Sequence, residues 1–403
     1  LLGSGPVAGA GAAVDRYVRA GEPDVGTCTS IASPCGTVQY AVDMAGEGDR
    51  IHVTGGIYPG VQTRNGTTQT VHLTKTVSLL GGYNATFTAR QPDVTPSILD
   101  AQNSGRVFYI AGEASPVLDG FVLNRGNAEA GGSTPWGGNI WAVGSSGPSL
   151  TVTLRNSIVM HGNAPTGSGR GGGVATVFAN VKLEDCEFIH NEAGGSGGAL
   201  RVEQTNLRIE DTVIHHNAAN AAGGVAFANL SSAVMTNTVL ADNRAAMDAA
   251  DILVRGAYVR GYHTTLARGL GAAENAVYVS TSTFVNGVLS LKNSIIFSYT
   301  RGITVTPNSI MIPPNKAVLD GVLWYGNGEN VGGAGLITVT NAYTGDPAFA
   351  ADGYHLQAGS AAIGRGVSAG ILTDIDGESR LAVPDLGADE YVAYVYIPVA
   401  LRD

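Results

Sequence analysis

From Gly171 to Asn243 short apolar runs alternate with polar residues, and the runs recur. GGGVATVFANVKLEDCEFIHNEAGGS is followed by GGALRVEQTNLRIEDTVIHHNAANAA and then by GGVAFANLSSAVMTNTVLADNRAAMD. Asp185, Asp211, Asn237 and His263 open the second apolar run of each copy at a spacing of 26, and Asn191, Asn217 and Asn243 close it at the same spacing. A fixed period in this range marks a solenoid. The runs alternate with period two (Val181, Leu183; Leu207, Ile209), which predicts strands rather than helices. Gly, Asn and Asp punctuate them and supply the positive-φ positions that sharp corners need. Two or three short strands per repeat predict an all-β fold, a parallel β-helix. It is expected to be right-handed, because parallel crossovers nearly always are. Asn191, Asn217 and Asn243, and separately Asp185, Asp211 and Asn237, are expected to stack as corner ladders.

The same alternation extends, less regularly, over residues 49–345, and roughly ten to twelve turns are expected there. Residues 14–48 read as an N-terminal cap. Thr37 is placed to cap a short helix whose Val38, Ala41, Val42 and Ala45 share a face. Residues 346–391 read as a C-terminal cap. Residues 1–13, small and apolar, read as a signal remnant or an assembly arm. Residues 392–403 read as a terminal β-strand: Tyr394, Tyr396, Ile397, Val399 and Leu401 lie in a stretch with no charge before Arg402, suited to pairing within the chain or with a neighbour.

Composition narrows the function classes. Charged residues make up only 14% of the 403, Gly reaches 57, and the apolar fraction stays at 44%, so the chain is β-rich and not disordered. The net charge is −10 with four lysines, which disfavours nucleic acid as a partner. No apolar run is long enough to span a bilayer as a helix. Cys28 and Cys35, seven apart around a Pro-containing loop, suggest a disulfide and an oxidising compartment; a pair of free thiols is the alternative.

CTSIASPCGTVQYAVDMAGEGDRIHVTGGIY, VSLLGGYN and SILDAQNSGRVFYI, with YHLQAGSAAIG, TDIDGESR and DLGADEY near the end, resemble secreted right-handed β-helix proteins. These are the pectate-lyase-like and polymorphic-outer-membrane-protein-like chains of Chloroflexota-type bacteria. The resemblance covers nearly the whole chain and implies architecture and secretion. The terminal pattern departs from its relatives at Ala361-Ala-Ile-Gly364, where Pro-Ala-Ile-Asp is usual.

The candidate chemistry is sparse. No catalytic constellation stands out. Asp185 and Asp211, and Glu184 and Glu210, are expected one turn apart, and His161, His190, His215 and His216 lie near the Asn column. Asp374, Asp376 and Glu378 surround a Gly turn as in a Ca²⁺ loop, with an ordinary polar turn as the alternative, so calcium is the one cofactor considered. Trp136 and Trp141 sit in a Gly-rich stretch where a sugar ring would stack, or where they simply pack the loop down. The first expectation is therefore a non-enzymatic extracellular or cell-surface structural protein that self-associates into a fibre, sheath or surface layer. The alternatives are a polysaccharide lyase or glycoside hydrolase, or a carbohydrate-binding adhesin.

Overall fold

Each 26-residue repeat is one turn of a coil, and the residues that open and close its second apolar run are where the backbone turns. In this computed structural model, which describes residues 12–147, 149–271, 275–308 and 313–392, the chain is a right-handed parallel β-helix of about 10 turns. The long strands Leu150–Met160, Ala179–Ile189, Asn206–His215, Ser232–Ala241, Tyr258–Ala267, Val288–Phe297, Lys316–Tyr325 and Leu336–Thr344 stack in order in one 15-stranded sheet. An 11-stranded sheet and a 5-stranded sheet form the other walls. The register repeats the sequence period, with Leu183 beside Ile209, Met235 and Gly261 in successive turns.

Every one of these long strands contains a corner in the left-handed region. Asn156, Asp185, Asp211, Asn237, His263, Asn293 and Asn341 hold φ between 45° and 57°, and Gly321 takes the place at 74°. Asn and Asp tolerate this region because their short polar side chains bond locally, so the polar columns are the residues that bend the strand. His161, His190, His216, Asp242 and Arg268 form a second left-handed column at the far end of the same strands. Inside the coil, Leu183, Ile209, Met235, Phe188, Ile214 and Leu240 are buried in one continuous core.

The Asn column lies inside this second corner. Asn217 Oδ1 accepts from Asn191 N at 2.9 Å and Asn191 Nδ2 at 3.0 Å, and Asn243 Oδ1 does the same for Asn217. Asn191 in turn accepts from Asn139 and from Gly162 N, so the column runs upstream past the regular repeats. Downstream it ends where Asn243 Nδ2 donates to the buried Asp251. The column beginning at Asp185 differs: it bends the strand, and among its members Asn237 bonds Asp211. Beside it, Cys186, Thr212 and Thr238 form a buried column, and burial pushes the Cys186 thiol up to about 12.

At the N-terminal end, the helix Val38–Met44 buries Val38, Ala41 and Val42 over the first turn, and the Thr37 hydroxyl accepts from Tyr40 N. The Cys28–Cys35 disulfide ties the loop before it. Residues 346–391 do not sit over the far end as the sequence suggested. They run as a strap along the flank, where Leu356, Ala362, Leu386 and Ala388 pack on Ile295, Leu323, Val239, Ala241 and Ala267. Among the described residues none covers the last turn, where Leu336 is 53% and Val339 37% exposed. The reason is that the outer positions of the downstream turns are apolar and need a cover, which the strap supplies. The expected assembly residues Tyr394, Tyr396, Ile397, Val399 and Leu401, and residues 1–11 of the expected arm, lie outside the described residues.

Candidate functional site

The strap does not cover the whole flank, and its upstream edge makes a trough with the coil. Floor positions come from successive turns of the long strands: Glu187, Val213 and His215, then Val239 and Ala241. His216, Asp242 and Arg268 of the second corner form one side, and Asp352 and Tyr354 of the strap form the other. The hollow is about 360 Å³, and an adjoining one of about 660 Å³ shares His216, Asp242, Arg268 and Asp352. A separate hollow of about 520 Å³ lies near the capping helix, but its acids are only Glu22 and Asp24, and Asp24 is already bonded to Gly36 N, Thr37 N and the Thr37 hydroxyl. The trough is therefore the candidate site.

Its charged groups are arranged in pairs. Arg268 grips Asp242 with two bonds, Nε to Oδ1 at 2.9 Å and Nη2 to Oδ2 at 2.6 Å, and gives a third to Gly353 O. Glu187 Oε1 lies 2.7 Å from His215 Nε2, and His215 Nδ1 lies 2.9 Å from His216 Nδ1. The hydrogen bond from His215 holds the Glu187 carboxyl below its usual range. An ionised carboxylate only accepts, so His215 Nε2 carries the proton. In the neutral relay His215 Nδ1 then accepts from His216 Nδ1–H, which leaves the lone pair of the relay on His216 Nε2. His216 is exposed and lines both hollows.

The remaining trough groups do not donate protons readily. Burial raises Asp352, but hydrogen bonds from Tyr354 N, His355 N and the His355 ring outweigh it and leave its carboxyl below the usual range. Burial takes the Tyr354 phenol up to about 12. Behind Tyr354, His355 Nδ1 lies 3.0 Å from Asp352 and its Nε2 2.6 Å from Asp376. Burial works against the His355 imidazolium, but these two carboxylates hold its pKa above the ordinary value.

The sequence-predicted residues fall in different places. Asp374 and Asp376 face different partners. Asp374 is buried and turned inward, with Oδ1 accepting from Asp376 N and Glu378 N and Oδ2 from Glu390 N, while Asp376 reaches His355. Glu184 and Glu210 are engaged by Lys182 and Arg208. Asp211 is pushed up to about 6, first by burial, and Asp185 is raised for the same reason. His161, His190 and His216 form a row with ring centroids 5.7 and 5.4 Å apart, the first pair stacked and the second tilted. Trp136 lies edge-on to Trp141 and under the Arg170 guanidinium, 4.5 Å from the ring centroid, so its face is already occupied. Sequence reasoning missed Glu187, Asp242, Arg268, Asp352, Tyr354, His355 and Asp389. One signal was present: from Val239 onward the second half of each strand loses its alternation (VLA, TLA, IIF), the mark of a sheet buried on both faces.

No family model and no curated protein matches the chain. Among solved structures it is similar to the crystal structure of pectate lyase Pel9A, at 13% identity and a TM-score of 0.48, over 93% of this chain and 96% of that one. A likeness at this level bears on neither substrate nor site.

Proposed function

We propose that this protein is an extracellular enzyme that cleaves an acidic polysaccharide by β-elimination in the flank trough. The Glu187–His215–His216 relay, which leaves a free imidazole nitrogen at the rim of an open hollow, is the observation that carries the reading. Hydrolysis of a glycosidic bond needs a protonated acid at neutral pH. The carboxyls of Glu187 and Asp352 are held low, Tyr354 is held high, and Asp242 is locked to Arg268. Elimination needs a base, which the relay offers. His216 Nε2 takes the proton alpha to the uronate carboxylate, its electron pair forms the ring double bond, and the glycosidic oxygen leaves and is protonated by water. Glu187 keeps His215 in the required tautomer. Arg268 spends three of its five N–H donors on Asp242 and Gly353 O, and Asp242 balances its charge, so the uronate carboxylate calls for a further positive partner. The disulfide supports an oxidising, extracellular setting.

The test is incubation with polyuronates and with neutral glycans, following both the ultraviolet absorbance of the unsaturated product and the release of reducing ends. An unsaturated product is expected, and His216→Ala is expected to lower its rate about 10²–10⁴-fold. Reducing ends without unsaturation, no cleavage, or undiminished activity in His216→Ala each overturns the reading.

Self-association is a second reading. The last turn, Leu336–Thr344, which no described residue covers, favours it, since a strand edge with exposed apolar residues templates pairing with another chain.

A further inference from the structure

The strap carries a cluster that the relay does not use and to which the sequence motif contributes only Asp376. We infer that His355, Asp376 and Asp389 form a binding site for a divalent transition-metal ion of the Zn²⁺ class. Their ligand atoms lie within 4.8 Å of one another. Zn²⁺ with bonds of about 2.1 Å places its ligands about 3.4 Å apart, a difference that side-chain rotation closes. Three features separate this group from a chance collection of acids. First, Asp389 is buried, its Oδ2 accepts from Leu356 N at 2.6 Å, and its Oδ1 has no hydrogen-bond partner among the described residues. A buried carboxylate held by one backbone N–H, beside a second carboxylate and an imidazole, is a place for a cation.

Second, Asp352 Oδ2 lies 3.0 Å from His355 Nδ1. This is the carboxylate–histidine arrangement in which one ring nitrogen is held by an acid and the other is directed at the metal. Here Nε2 is the nitrogen directed at Asp376 and Asp389. Third, the ligand set is one imidazole nitrogen and two carboxylates. Calcium prefers six to eight oxygens, whereas nitrogen with carboxylate suits Zn²⁺, Mn²⁺ or Co²⁺, with positions left for water or a substrate oxygen. The chain joins the three across 34 residues through backbone turns that Asp374 holds by three N–H bonds, so the scaffold is in place before any ion arrives.

The site stands on its own geometry; its use toward a uronate carboxylate rests on the reading above. Asp352 lines the trough and touches His355, which would put the ion at the trough wall, where the substrate carboxylate needs a positive partner.

Calorimetric titration of the full chain with Zn²⁺, Mn²⁺ or Ca²⁺ alone tests the site, together with the Co²⁺ absorption spectrum of the wild-type protein. One tight Zn²⁺ per chain, weaker Ca²⁺, and a Co²⁺ spectrum with nitrogen ligation are expected. His355→Ala and Asp389→Asn are expected to abolish binding. Asp352→Asn, which only orients His355, is expected to weaken it about 10–100-fold. Glu378→Gln is expected to leave it unchanged. Absence of Zn²⁺ binding, an all-oxygen Co²⁺ spectrum, preference for Ca²⁺, or loss in Glu378→Gln with retention in His355→Ala overturns the inference. The spectrum needs no variant, so a misfolded mutant does not blunt the test. If Zn²⁺ binds as described and no polysaccharide is cleaved, the metal site stands and the elimination reading fails.

Discussion

Replacing Asn217 by Ala is the most direct test of what holds the coil in register. The Asn217 amide is fully buried: it accepts from Asn191 N and Asn191 Nδ2, and its two Nδ2 hydrogens are shared among Phe188 O, His215 O and Asn243 Oδ1, all at 2.8–3.1 Å. Alanine leaves Asn191 N–H without an acceptor and Phe188 C=O without this donor, in an interior with little room for a replacement water. Each stranded group costs about 1–3 kcal/mol, so the two together cost about 2–6 kcal/mol. Asn206 is the matched control. It belongs to the same turn, and its Nδ2 donates to Asn180 Oδ1 at 3.1 Å, but it is exposed. Asn206→Ala is expected within about 0.5 kcal/mol of wild type. Equilibrium urea denaturation followed by circular dichroism reads both. A loss below about 1 kcal/mol in Asn217→Ala, or equal losses in the two variants, would refute the argument that buried satisfaction rather than stacking alone holds the ladder.

Two further outcomes are expected. Burial takes the Asp251 carboxyl up to about 7, although Tyr299 and Asn243 both donate to it. The folded state therefore holds a proton that the unfolded state releases above about pH 4, so this group's contribution to stability falls as pH rises from about 4 to 7 and then levels. Asp251→Asn is expected to flatten that slope in melting curves taken across the range, and an unchanged slope counts against the assignment. For self-association, full-length chain is expected to sediment as concentration-dependent oligomers, and a chain ending at Val392 or carrying Leu336→Glu is expected to stay monomeric; oligomers that persist in both would remove the last turn and the terminal segment from the account.

Much of the coil was legible in the sequence because a solenoid repeats its local physics. The 26-residue spacing of Asp185, Asp211, Asn237 and His263 marks residues that meet in successive turns, and their left-handed backbone is what short polar side chains tolerate at a corner. The buried Asn column was visible for the same reason, since one amide per turn satisfies the backbone of the turn before it. The helix over the first turn was marked by Thr37 and the apolar face behind it. Alternate acids before a glycine, as at Asp374, Asp376 and Glu378, describe a polar turn as well as a metal loop. Nothing local says that Asp374 faces inward to backbone N–H groups while Asp376 faces His355.

The sequence by itself therefore determined the turn length, the corner residues and the stacking order, because these depend on contacts exactly one period apart. Only the tertiary structure decided where residues 346–391 go, and with them the trough and the metal cluster. Those residues have no period of their own, and their partners, among them Asn237, Thr265 and Asn293, lie between 74 and 143 residues away. The strap lies where the outer face of the coil turns apolar and ends where that face becomes polar again, at Glu187 and His215. Long-range burial, rather than any local motif, is what brings Asp352, Tyr354 and His355 beside them.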